Sequence, residues 1–214
     1  QWPAWHSAIY DTLPLEGEGV PALEGERGGS FDAVVSQVIA RLRGSAVVLT
    51  DKKGKDEWVL PSEAVWLPAS LRTILDNSDL PTLLPDKRAF VSFRITGKRA
   101  RDFLTKPKGL NVDEVGIDEL IEFLKCTDWL EEKQTSWFTE LFSYLADQAK
   151  LSEELQKELR HLTLIPTSEG LAKAVDRLFL PAADPTISVP GARFVHKTLS
   201  KVDAQVTDFL RDKL

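Results

Sequence analysis

The chain is poor in the residues that most often form cross-links or bind metals. Its 214 residues include one cysteine, three histidines and no methionine. Cys126 has no second cysteine to pair with, so an internal disulfide is excluded and a reducing compartment, the cytoplasm or the nucleus, is expected. His6, His161 and His196 stand alone without the spacing of a zinc motif, which argues against a local metal site.

The sequence also lacks a long apolar run and an excess of basic residues. No stretch approaches the ~20 apolar residues that a membrane-spanning helix needs. The 27 Lys and Arg residues are outnumbered by 33 Asp and Glu residues, for a net charge of −6. Because general nucleic-acid binding needs a basic face, this charge argues against such a partner. A hydrophobic content of 43% is nevertheless sufficient for a substantial core.

Motifs of known enzyme classes are equally scarce. The sequence contains no Walker A motif, no nucleophile elbow and no G-x-G-x-x-G. The glycine-rich stretch at residues 25–29 follows no predicted strand, so we interpret residues 14–29 as a loop rather than a phosphate cradle. We therefore expect no catalytic residue, no cofactor and no metal. An enzyme with a dispersed site stays open as an alternative.

What the sequence does contain is an internal repeat. The segment V-V-L-T-D-K-K-G at 47–54 returns as T-L-I-P-T-S-E-G at 163–170, and three further segments follow in the same order: V-W-L-P at 65–68 with L-F-L-P at 178–181, A-F-V at 89–91 with R-F-V at 193–195, and R-D-F-L at 101–104 with T-D-F-L at 207–210. The repeat positions that we single out are Gly54 with Gly170, Pro68 with Pro181, and Phe90 with Phe194. An ordered set of four matches predicts a duplicated structural module.

The repeat predicts the architecture. Each copy should form a β-hairpin, with a glycine supplying a positive φ in its turn, followed by further short strands. Ser30 is expected to cap a helix that ends at Gly44, and more helical patterns lie between the copies. The predicted fold class is α+β, with two small β-hairpin or mixed-sheet units that each pack against helices. Residues 1–112 and 113–214 would contain one unit each, as two domains or as one continuous body.

One local charge asymmetry follows the first copy. It consists of six basic residues: Arg94, Lys98, Arg99, Arg101, Lys106 and Lys108. Such a cluster could contact a phosphate-rich ligand or an acidic partner, but the stacking aromatics of single-strand binders are not interleaved with it. We interpret it as a solvated helix face. A nucleic-acid-associated module of a large defence or nuclear ATPase is the alternative.

The second copy resembles a known family. L-I-P-T-S-E-G at 164–170, L-F-L-P at 178–181 and F-V-H at 194–196 are similar to the recurring L-P-T-x-x-G, L-F-L-P and F-[VI]-H segments of the sacsin family. The stretch W-H-S-A-I-Y-D-T-L-P at 5–14 also resembles the start of such a region. The family comprises very large cytoplasmic proteins in which GHKL-type ATPase modules are each followed by long α/β regions.

The resemblance does not include the ATPase site. A GHKL site needs an E-x-x-x-N helix, a D-x-G-x-G motif and a glycine-rich lid, and none of these is present. The resemblance therefore implies a non-catalytic structural or interaction region of a chaperone-like protein. Its partners would be the rest of a larger polypeptide, including an ATPase module, and client proteins. The missing methionine and the helical pattern that reaches Leu214 lead us to expect an internal region of a longer chain.

Overall fold

The computed structural model describes residues 10–14, 26–52, 55–148, 152–176, 178–180, 192–200 and 204–212. Contacts within the chain divide it into two compact units, residues 1–116 and 117–214. Both units combine helices with small sheets, which confirms the predicted mixture of α and β structure. The strand at Asp113–Glu114 belongs to the first of these units.

The first unit contains a long helix, a hairpin and a three-stranded sheet. Residues 10–12 form a helical turn. The elements that follow are α1 (Glu26–Arg43), β1 (Val48–Lys52), β2 (Lys55–Val59), a 3₁₀ turn (Pro61–Glu63), β3 (Ala64–Trp66), a second 3₁₀ turn (Ala69–Leu71), α2 (Leu80–Leu83), β4 (Ala89–Phe90), α3 (Lys98–Thr105) and β5 (Asp113–Glu114).

Helix α1 begins earlier than the sequence predicts. It starts at Glu26, within the stretch interpreted as a loop, so Ser30 lies inside the helix and does not cap it. The residues before Ser30 include Gly28 and Gly29, which have low helix propensity, so local preference alone does not predict this extension. The predicted loop over 14–29 is therefore wrong at its C-terminal end.

The hairpin and the sheet of the first unit are joined by one bridge. β1 and β2 pair antiparallel from Val48 opposite Val59 to Lys52 opposite Lys55. β3 lies between β4 and β5 and is parallel to both. All three residues of β3 are buried, as is typical of a central parallel strand. An antiparallel bridge between Thr50 and Val91 then connects β1 to the end of β4.

The approach of β5 to the core depends on a glycine. The N–H of Leu110 donates a 2.7 Å hydrogen bond to the oxygen of Phe103, near the end of α3. A Cβ on Gly109 would lie 1.9 Å from that same oxygen, so no side chain fits there. The contact places Leu110 and Val112 in the buried core beside Trp66 and Phe103.

The second unit is a group of helices followed by a hairpin. Its elements are α4 (Ile117–Phe123), α5 (Thr127–Glu131), α6 (Thr135–Asp147), α7 (Glu153–His161), β6 (Thr163–Thr167), β7 (Gly170–Lys173), a 3₁₀ turn (Ala174–Asp176), α8 (Lys197–Ser200) and α9 (Ala204–Asp212). Two isolated bridges extend the hairpin: Thr167 pairs antiparallel with Val195, and Phe179 pairs parallel with Phe194. Of the helices described in either unit, none is long and apolar enough to span a bilayer.

Candidate functional site

The two hairpins share a buried threonine contact. The Thr50 hydroxyl donates to the main-chain oxygen of Glu57 at 3.0 Å, and the Thr167 hydroxyl donates to that of Gly170 at 2.7 Å. In both hairpins the acceptor lies directly opposite the threonine, and both threonines are buried. By these contacts, Thr50 corresponds to Thr167. In the alignment of segment 47–54 with segment 163–170, Thr167 corresponds to Asp51 instead.

The strand that crosses each hairpin is held in the same way. The N–H of Ser92 donates to the oxygen of Leu49 at 2.9 Å, and the N–H of His196 donates to the oxygen of Pro166 at 2.7 Å. Ser92 and His196 each follow the F-V segment of their copy. Both acceptors precede the threonine of their hairpin by one residue. The one-residue shift therefore applies to the first strands of the hairpins, whereas Ser92 and His196 match without a shift.

The turn after each hairpin repeats as well. The N–H of Leu60 donates to Glu63 Oε2 at 3.2 Å, and the N–H of Lys173 donates to Asp176 Oδ2 at 3.0 Å. Each acid ends a 3₁₀ turn that leads into the next strand segment. In that segment, Val65 pairs with Phe90 in the first unit, and Phe179 pairs with Phe194 in the second. By these pairings, Val65 corresponds to Phe179.

The copies differ at the second edge of this segment, opposite the edge that pairs with Phe90 or Phe194. In the first unit, β5 covers β3, and the N–H of Val115 donates to the oxygen of Trp66 at 3.0 Å. In the described part of the second unit, the main-chain hydrogen bonds of residues 178–180 all fall on Phe179 and point to the strand of Phe194. Phe179 is 48% exposed, whereas Val65 is 1% exposed. The second copy thus has an uncovered strand edge among its described residues.

A groove of about 360 Å³ lies beside residues 178–180. We call it the edge groove; the residues that line it include Ile165, Leu178, Phe179, Leu180, Leu210 and Arg211. Among the described residues, its lining side chains are aliphatic or aromatic apart from that of Arg211. Nothing in the sequence pattern of L-F-L-P at 178–181 distinguishes an edge strand from a covered one, so sequence reasoning missed the groove.

The first unit has an apolar cleft of about 330 Å³. Tyr10 and Trp58 lie on its wall, and the Tyr10 hydroxyl donates to the main-chain oxygen of Val47. Burial raises the pKa of Tyr10 to about 12. The phenol therefore stays protonated at neutral pH and serves as a fixed hydrogen-bond donor.

The predicted basic cluster lies on and beside α3, and all six side chains are exposed. Several of them make ion pairs with acids. Arg94 bridges Asp51 and Asp56, Arg101 contacts Glu114, and Lys106 lies 3.2 Å from Asp102. These pairs reduce the positive field that a phosphate-rich ligand would meet.

Asp51 belongs to a network that joins the hairpin to β4. Its burial opposes ionisation, but hydrogen bonds from Ser92 and Arg94 outweigh this and lower the pKa of the carboxyl group. Asn77 donates to the main-chain oxygen of Asp51 at 2.6 Å and accepts from the N–H of Phe90 at 2.8 Å. These polar side chains satisfy main-chain groups and each other.

The remaining predicted positions are distributed as follows. Phe90 is buried, Phe194 is half-buried, and Pro68 precedes the second 3₁₀ turn. Gly170 has a positive φ of 115° but lies in the ladder opposite Thr167. By the threonine contacts, Gly170 holds the position of Glu57 in the first hairpin. Gly54 and Pro181 lie outside the described residues. The described residues contain no group of three His, Cys, Asp or Glu that could hold a metal ion.

Comparison of the chain with protein-family models, with curated proteins and with solved structures finds no match in any of the three.

Proposed function

We propose that this chain is a non-catalytic structural and interaction region, of the kind that sacsin-like proteins place after a GHKL ATPase module. We further propose that it is built from two diverged copies of one β module. ATP binding and hydrolysis, if the parent protein performs them, would then occur outside these residues. The partners would be the rest of a large cytoplasmic polypeptide and its client proteins.

The observation that supports this function best is what the two copies have in common. The shared contacts hold main-chain groups: the threonine bond across each hairpin, the crossing strand and the acid-capped 3₁₀ turn. A duplicated catalytic module would be expected to repeat polar side chains that converge on a cleft. Here the repeated features form a framework, and the clefts beside it are mainly apolar. Apolar clefts on a rigid framework suit the binding of other polypeptides.

The Asp51 network supports the same interpretation. Its hydrogen bonds connect β1, β4 and the segment that carries Asn77, and Arg94 neutralises the carboxylate. A general base must instead reach a substrate proton with its lone pairs. The lowered pKa of Asp51 is thus explained by its structural contacts.

Calorimetric titration of the 214-residue chain with ATP and Mg²⁺ tests the proposed function. We expect no heat of binding, since a GHKL site needs motifs that this chain does not contain. A GHKL ATPase module titrated under the same conditions is the positive control. Micromolar binding of ATP to this chain would overturn the proposal.

A further inference from the structure

We propose that the edge groove of the second unit binds an extended segment of a partner polypeptide as an added parallel strand. The segment would carry apolar and acidic residues in the manner of residues 112–115, V-D-E-V. This inference rests on the proposed function, because it specifies the partner of an interaction region.

The first unit shows how the equivalent edge is covered. There the N–H of Val112 donates to the oxygen of Leu104 at 2.8 Å, and the N–H of Val115 donates to that of Trp66 at 3.0 Å. The shared contacts match Trp66 with Leu180, and the repeat matches Leu104 with Leu210. Both Leu180 and Leu210 line the edge groove. The groove therefore lies where the first unit holds its third strand.

The apolar lining fits the apolar half of such a segment. Leu110 and Val112 are each 2% exposed in the first unit and belong to the same buried cluster as Trp66 and Leu104. The matched positions in the second unit leave a groove of about 360 Å³ and a phenylalanine ring that is 48% exposed. A strand added here would cover the ring and supply hydrogen bonds to the main chain of residues 178–180, as in β-augmentation.

The charge of the groove indicates which polar residues the partner segment would carry. In the first unit, both acids of β5 meet basic side chains: Asp113 contacts Lys87, and Glu114 contacts Arg101. In the edge groove, Arg211 is a charged residue among the described lining residues. Its ion pair with Asp208, one turn back on α9, is 3.2 Å long and solvent-exposed, so exchanging it for an acid of the partner has a low cost.

The test uses the intact chain and a synthetic peptide with the sequence of residues 110–116, L-N-V-D-E-V-G. The peptide is titrated into isotope-labelled protein, and the main-chain amide signals are followed by NMR. We expect saturable shifts at Phe179, Leu180 and Leu210, with a Kd of about 0.1–1 mM, because the contact area is far below the ~1,200 Å² of a stable interface.

Charge-reversal variants test the role of Arg211. Arg211→Glu should weaken binding about fivefold or more, since like charges oppose each other across the contact. A peptide with lysine in place of both acids should bind Arg211→Glu better than it binds the wild type. Lys157→Glu, the same charge change on the exposed face of α7, is the matched control and should leave the Kd unchanged.

Three results would overturn the inference. The first is the absence of any shift at about 1 mM peptide, the concentration at which a weak strand addition becomes visible. The second is a set of shifts that maps outside the edge groove. The third is binding that begins only after deletion of residues 181–190, which would mean that the chain's own segment takes the edge. If the peptide causes no shifts and ATP gives no heat of binding, this inference is wrong but the proposed function is unaffected.

Discussion

The hydroxyl of Thr167 donates a 2.7 Å hydrogen bond to the main-chain oxygen of Gly170, the residue directly opposite it in the second hairpin. Thr50 makes the corresponding bond to Glu57 in the first hairpin. In each copy the same threonine also forms the bridge to the crossing strand, through Val91 or Val195. Each threonine is thus the point at which three chain segments meet.

Replacement of either threonine by valine should destabilise its unit. Thr50→Val and Thr167→Val keep the shape of the side chain but remove a buried hydrogen bond, at a cost of about 0.5–1.5 kcal/mol each. Urea unfolding, followed by NMR signals of each unit, gives the free energies. Thr139→Val is the control, because the Thr139 hydroxyl is buried without a hydrogen-bond partner and its loss should be neutral or stabilising. A destabilisation in only one of the two hairpins would contradict their equivalence.

Gly170→Ala should destabilise the second unit through backbone strain alone. The φ of Gly170 is 115°, a value that residues with a Cβ rarely adopt, while an added Cβ would have no atom within 4 Å. The expected cost is about 1–2 kcal/mol. Gly44→Ala provides the comparison, since a Cβ there would make an ordinary 3.7 Å contact and no positive φ is involved. Thermal or urea unfolding of both variants measures the difference, and equal stability would refute the role of the positive φ.

Truncation of the two matched phenylalanines should have unequal effects. Phe90 is 2% exposed, so Phe90→Ala should cost about 3–5 kcal/mol. Phe194 is half-buried, with its ring centroid 6.0 Å from that of the exposed Phe179, so Phe194→Ala should cost clearly less. Denaturant midpoints of the two variants give the comparison. Equal losses would mean that the edge beside Phe194 is covered in solution.

The Asp51 network predicts a specific loss of stability in acid. Burial opposes its ionisation, yet hydrogen bonds from Ser92 and Arg94 hold its pKa below the ordinary value of 3.8. The stabilising effect of this carboxylate is therefore complete above that value and is lost as the pH falls through the lower pKa of the folded state. Asp51→Asn should be less stable than the wild type at neutral pH, and the difference should shrink below pH 3.8.

Denaturant titrations from about pH 7 to pH 3, a range that brackets the ordinary carboxyl pKa, measure this effect. Asp86→Asn, which changes an exposed carboxylate, should follow the wild-type curve. A constant difference between Asp51→Asn and the wild type across the whole range would exclude Asp51 as the titrating group.

The kinds of secondary structure in this protein follow from local patterns in its sequence. The apolar spacing of helices such as α3 and α6 is local, and so is the alternation in the hairpin strands, so both can be found without long-range information. The framework residues Thr50, Thr167 and Phe90 also lie within the repeated segments. A local pattern still matches when one of the two repeated segments is moved by one residue, however. For this reason the alignment of the segments paired Thr167 with Asp51 instead of Thr50.

Which strand edges are covered depends instead on contacts between distant segments of the chain. β5 consists of Asp113 and Glu114, two residues without strand preference, and it is a strand because β3 and the Gly109 turn position it. The matched segment at residues 178–180 is similar in sequence to residues 65–67, yet its far edge lacks a partner among the described residues. Strand pairing joins residues that are distant in the chain, so a short sequence segment carries no record of which neighbour, if any, completes its hydrogen bonds.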